Sequence, residues 1–148
     1  MGKHLGRWPQ PIKAGSSRFD HFTNNPGDST TISSNYIQKT FEDHNKNLWI
    51  ATYYGGLNLL EKGTKKFSRI VASADGKSRL QGNNIVSIVE DPKGNLWIGT
   101  DDGGLNRYNA ATKTFDHYFN KEEKTPDLRV LFIDSKGRLW VGDRKSVV

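Results

Sequence analysis

Any catalysis or metal binding here would have to be carried by four histidines, His4, His21, His44 and His117, and by carboxylates that recur along the chain. A zinc site needs three or four His, Cys or carboxylate ligands at close spacing. No His-x-x-x-His pair occurs, and the absence of cysteine removes thiolate sites and disulfides alike. His21 and His117 stand in matching strings, "FDHF" and "FDHY", too far apart in the chain to share an ion. Asp43, Asp91 and Asp134 also recur, each opening a turn, where a short carboxylate caps backbone N–H groups. "Asp101-Asp102-Gly103-Gly104" would suit calcium, but the alternating oxygens and closing Glu of an EF-hand loop are missing. No Ser/His/Asp order or activated nucleophile can be assembled. The expectation is therefore no catalytic residue, no metal and no cofactor, with Asp43, Asp91, Gly94, Asp134 and Gly137 as turn residues.

The elements that carry these residues are repeated. At an offset of 48, residues 19–66 laid over 67–114 match at 16 of 48 positions without a gap. The matches cluster at Glu-Asp, Asn-Leu-Trp-Ile, Thr and Gly-Gly-Leu-Asn, so Trp49 falls on Trp97 and Leu57 on Leu105. A third copy begins at Phe115 and reaches Trp140 five residues early. The middle copy reads as four strands: "NIVSIVE" (84–90), "NLWIGT" (95–100), "LNRYN" (105–109) and "TFDHYF" (114–119), separated by turn residues. Four short antiparallel strands per unit of 40–50 residues is the pattern of a propeller blade. The fold class expected is all-β, a partial β-propeller. Its blades would bury Trp49, Trp97, Trp140, Leu57 and Leu105 between them, because a lone sheet of this size has two faces to cover.

Bulk properties agree. The chain has 148 residues, 34% hydrophobic, with 15 glycines. That composition favours short strands and tight turns. The net charge is +6, yet charged residues of both signs make up 26%. Without a basic stripe or RNA-binding motif, no nucleic-acid partner is expected. No run approaches the roughly 18 apolar residues of a membrane span. The start, "MGKHLGRWPQPIKAGSS", has no apolar stretch, so it carries no secretory signal.

The string "I-x-E-D-x-x-G-N-L-W-I-G-T-x-x-G-G-L-N-R-Y" resembles the two-component regulator propeller repeat, and the likeness covers about residues 10–143. That repeat builds the periplasmic sensor region of hybrid two-component proteins, chiefly in gut Bacteroidetes. The resemblance implies a non-enzymatic fragment of an extracytoplasmic sensor that detects oligosaccharides and regulates polysaccharide utilisation. The parent would add a membrane helix, a histidine kinase and a receiver. Implied partners are an oligosaccharide, the remaining blades of the parent chain and a second parent protomer in a homodimer. A sialidase-type propeller is disfavoured, because its Asp-x-Gly-x-x-Trp spacing differs from Asp91 and Gly94, or Asp134 and Gly137, which are three apart. A scaffold propeller mediating protein contacts, or a propeller lyase or hydrolase, are the alternatives.

The copies also differ. Lys46 replaces Gly94 and Gly137, which predicts a slightly different turn, and Ala51 replaces Gly99. Tyr53-Tyr54 stands where Asp101-Asp102 stands, so that turn is open to variation. Tyrosine rings stack on sugar faces and carboxylates accept sugar hydroxyls, making Tyr53, Tyr54, Asp101 and Asp102 the glycan-contact candidates. The units are drawn as 1–18, a degenerate start with outer strands of a preceding blade; 19–66; 67–114; and 115–148, cut short. On this reading the chain is a fragment, about a third of one propeller.

Overall fold

A computed structural model describes residues 20–72, 79–119 and 127–144. The expected outer strands within 1–18 lie outside the described residues. The described residues form ten strands and no helix. β1 (Ile37–Glu42), β2 (Leu48–Thr52), β3 (Gly56–Leu60) and β4 (Phe67–Ile70) make a first antiparallel sheet in chain order. β5 (Ile85–Glu90), β6 (Asn95–Thr100), β7 (Gly104–Asn109) and β8 (Thr114–Tyr118) make a second. β9 (Leu128–Ile133) and β10 (Leu139–Asp143) make a two-stranded third.

The sheets stack face to face with their first strands side by side, β5 lying against both β1 and β9. This is a partial propeller. The pairing repeats residue for residue: Phe41 opposes Trp49, Val89 opposes Trp97, and Phe132 opposes Trp140. Even the irregularity in register recurs, at Ile37/Lys39 in the first sheet and Ile85/Ser87 in the second.

Each interface is built from two faces of one pattern. The forward face of the first sheet supplies Trp49, Ala51 and Leu57, and the second sheet answers with Ile88, Leu96, Ile98 and Tyr108. Leu57, Ala51 and Ile98 are fully buried. Burying one such leucine or isoleucine stabilises by about 1.5–3 kcal/mol, so a handful of these residues holds two blades together. Leu105 then meets Leu128 and Leu131 of the third sheet. On the other side of the first sheet, Ile50 and Phe67 are covered by Ile32 and Phe22 from the segment before β1.

One expectation needs correction. The Lys46 turn does not differ: Lys46 (φ 64°) takes the left-handed conformation of Gly94 (φ 80°) and Gly137 (φ 74°). All three turns close the same way, the N–H of that residue donating 2.9 Å to the carbonyl of Asp43, Asp91 or Asp134. Hydrogen bonding imposes the geometry, and the lysine side chain bears a left-handed cost of about 1–2 kcal/mol.

Candidate functional site

The recurring aspartates sit at one end of the sheets and do more than cap turns. Asp43 Oδ1 accepts the backbone N–H of Asn47 at 2.9 Å, and its Oδ2 accepts the indole N–H of Trp49 at 2.9 Å. Asp91 accepts from Asn95 at 2.9 Å and from Trp97 at 3.0 Å in the same manner. Asp134 accepts from Arg138 at 2.9 Å and from Trp140 at 3.0 Å. Each carboxylate thus ties its turn to the indole of the following strand. The signal was present as an Asp-to-Trp spacing of six residues, but reading the Asp as a turn cap alone missed the second bond.

This bonding explains the acidity of the group. Burial alone would raise the Asp43 carboxyl; donation from the Trp49 indole and from Asn47 outweighs it and holds the pKa below its ordinary value. Burial opposes, and Asn95 and Trp97 reverse, the same shift at Asp91. At Asp134 the Trp140 indole leads, followed by Arg138, and the carboxyl stays well below the usual range.

The indoles share a bond but not an environment. Trp49 is 2% exposed and meets Tyr108 of the next sheet edge-on, centroids 5.7 Å apart. Trp97 is partly buried beside Tyr118 and Arg107. Trp140 is 40% exposed, with Arg138 over its ring. Among the described residues no sheet covers its forward side.

At the opposite end lie the β2–β3 and β6–β7 turns. Tyr53 and Tyr54 are both more than half exposed, their rings edge-to-face at 4.5 Å. Asp102 accepts the backbone N–H groups of Asn83 and Asn84, each at 3.1 Å, and Asp101 Oδ2 accepts from Asn84 Nδ2 at 2.6 Å. The Asp pair therefore fastens the loop that leads into β5. That loop reaches the first sheet through Gly56 N–H, which donates to Asn83 O at 3.1 Å. All four glycan-contact candidates consequently share one rim. The Tyr54 phenol registers its neighbours: Tyr53 first, then burial, then Asp101 raise its pKa.

Sequence reasoning missed two parts of this end. Tyr36, exposed and bonded through its carbonyl to Tyr53 N–H at 2.8 Å, adds a third aromatic ring. The fully buried Asn58 and Asn106, recurring in Gly-Gly-Leu-Asn, hold the loops from inside. Asn58 Oδ1 accepts Ser33 N–H at 2.9 Å, and Asn106 Oδ1 accepts Gln81 N–H at 2.8 Å. A polar residue recurring in an otherwise apolar strand was the available sign. The glycine pairs have a steric reason: a Cβ on Gly103 would lie 2.2 Å from the Gln81 backbone, and Gly104 takes φ 75°.

Among the described residues no cluster of three His, Cys, Asp or Glu is placed to hold a metal. His44 instead crosses between sheets: its backbone N–H donates 2.9 Å to Glu90 Oε2 and its ring meets Oε1 of the same carboxylate.

Stacked four-stranded antiparallel sheets define this chain as part of a β-propeller. The two-component regulator propeller family model matches it at residues 31–54 and 79–102. No curated protein matches. Among solved structures, it is similar to the extracellular domain of what is described as the hybrid two component system BT3049 of B. thetaiotaomicron. Identity is 26% and the TM-score 0.71, covering 87% of this chain and 17% of that one. The chain thus spans under a fifth of that domain's length. The extracellular domain of BT4673 from B. thetaiotaomicron, described both as a one component and as a hybrid two component system, matches at 22% identity and TM-score 0.41. That match covers 83% of this chain and 24% of the other. Among the described residues no helix is long and apolar enough to cross a membrane.

Proposed function

We propose that this chain forms part of the ligand-sensing propeller on the periplasmic side of a hybrid two-component protein, and that the ligand is an oligosaccharide. The observation that carries this reading is the shared rim, where Tyr53 and Tyr54 expose paired rings, Tyr54 lies within reach of the Asp101 and Asp102 charges, and Tyr36 exposes a third ring on the strand bonded to Tyr53. Aromatic faces cover the apolar side of a sugar ring and their hydroxyls add polar contacts. Carboxylates accept hydroxyl protons. The similarity to an extracellular domain of a described hybrid two component system supports the location and the signalling context.

The chain itself performs no reaction under this reading. Its partners are the further blades and a second protomer of a longer protein. Ligand bridging adjacent blades would favour one arrangement of the sensor and bias a kinase by population shift. The test is titration of neutral and acidic oligosaccharides against the chain by calorimetry, with Tyr53→Ala and Tyr54→Ala alongside. Saturable binding weakened about tenfold or more by either change supports the reading, tenfold being 1.4 kcal/mol. Absence of saturable binding, or binding that neither variant alters, refutes it in favour of a scaffold.

A further inference from the structure

Each of the two joints between sheets rests one side chain on the glycine turn of the next sheet. The His44 ring lies against Gly94, where a Cβ would come within 2.8 Å of its Cε1. Pro92 lies against Gly137 in the same way, its Cγ 3.4 Å from the Cβ position. His44 and Pro92 are 48 residues apart, each directly after a turn aspartate. Their partners differ. At the first joint His44 reaches the end of β5: its backbone N–H donates 2.9 Å to Glu90 Oε2, and its ring Nδ1 meets Oε1. At the second joint Pro92 has neither an N–H nor a titratable ring, and Ile133 stands where Glu90 stands.

The His44–Glu90 pair is placed to act on its joint. Asp43 and Asp91, their neighbours in the chain, hold Trp49 and Trp97, so the pair ties one indole anchor to the next. The Glu90 side chain is 15% exposed, while that of His44 is 59% exposed and open to solvent protons. Of the charged groups around the ring, Asp91 is committed to Asn95 and Trp97, and Glu42 to Lys46. Lys93, on the turn beneath the ring, is exposed. The Glu90 bond, opposed by burial and helped by the Glu90 and Asp43 charges, holds the imidazolium pKa above the ordinary 6.5.

We propose that His44 and Glu90 form a proton-operated clamp on the joint between the first and second sheets. With His44 protonated, an ion pair ties the two turns together; with His44 neutral, the joint loosens. The Pro92–Gly137 contact of the second joint does not respond. The clamp's contribution is full below about pH 6.5 and is lost as pH rises through the higher folded value. The inference does not depend on what the rim binds.

Ring-proton NMR of the full 148-residue chain between about pH 5 and about pH 9 reads the titration directly. The His44 midpoint should lie above that of histidine in the urea-unfolded chain. Glu90→Gln, which keeps the shape and removes the charge, should bring it back. Hydrogen exchange, corrected for the intrinsic effect of pH, reads the joint. Relative to β10, protection of β1 and β5 should fall about 1.5- to 5-fold between about pH 5.5 and about pH 8.5, the range of an exposed charge pair. His44→Gln keeps the backbone bond to Glu90, so it separates the proton from the contact; it should abolish that fall, as should Glu90→Gln. A His44 midpoint that Glu90→Gln leaves unmoved overturns the proposal. So does a fall in protection that survives in His44→Gln, or one that β10 shares equally.

Discussion

Three tryptophans make the same bond to aspartate within 2.9–3.0 Å but differ in cover, so truncating them separates packing from hydrogen bonding. Trp49 is almost wholly enclosed by the second sheet. An aromatic side chain buries about 150–250 Å², worth about 4–6 kcal/mol at about 25 cal/mol per Å². Reference-state compaction lowers that figure, and truncations of this type cost about 3–5 kcal/mol. Trp49→Ala should therefore remove about 3–5 kcal/mol of stability. Trp140→Ala should cost no more than about half as much, because its forward side already faces solvent. Urea unfolding followed by far-ultraviolet dichroism measures both. Equal losses for the two variants, within about 0.5 kcal/mol, would refute the argument that the neighbouring sheet, rather than the aspartate bond, sets the value of each indole.

Lys46→Gly should stabilise by about 0.5–1 kcal/mol, since φ 64° suits glycine and the exposed pair to Glu42 contributes little; urea midpoints check it. Gly103→Ala should destabilise by about 1–3 kcal/mol or more, because its methyl would collide with the Gln81 backbone, whereas Gly63→Ala meets no atom within 4 Å and should cost only the strain of φ 75°. Asn106→Ala should cost about 1–3 kcal/mol by removing the buried amide whose Oδ1 accepts Gln81 N–H at 2.8 Å, again read from urea unfolding. The lowered Asp43 and Asp91 pKa values mean that the folded state binds fewer protons than the unfolded chain, whose carboxyls titrate near about 3.9. Their contribution is full above that value and is lost as pH falls through the lower folded values; thermal melts from about pH 6 to 2 should show this fall, flattened in Asp91→Asn.

Much of the architecture was legible because it is local. "NLWIGT" lies between two turn strings and reads as a strand, and β6 has those bounds. The Lys46 turn was misjudged because side-chain identity was weighed above the hydrogen bonds that close all three turns. Asn58 and Asn106 were passed over because their partners lie 25 residues away, on segments that only packing brings near. At the rim, Tyr53 and Asp101 drew notice through variation between copies. Tyr36 did not, since its nearness to Tyr53 depends on how β1 pairs with β2.

Repetition at 48 residues, turn chemistry and the Asp-to-Trp spacing are properties of neighbouring residues, and by themselves they determined strands, hairpins and blades. Burial is a property of whatever sheet lies opposite. Tertiary structure alone therefore decided that Trp49 is enclosed and Trp140 partly exposed, and that the Tyr53–Tyr54 and Asp101–Asp102 turns share one rim.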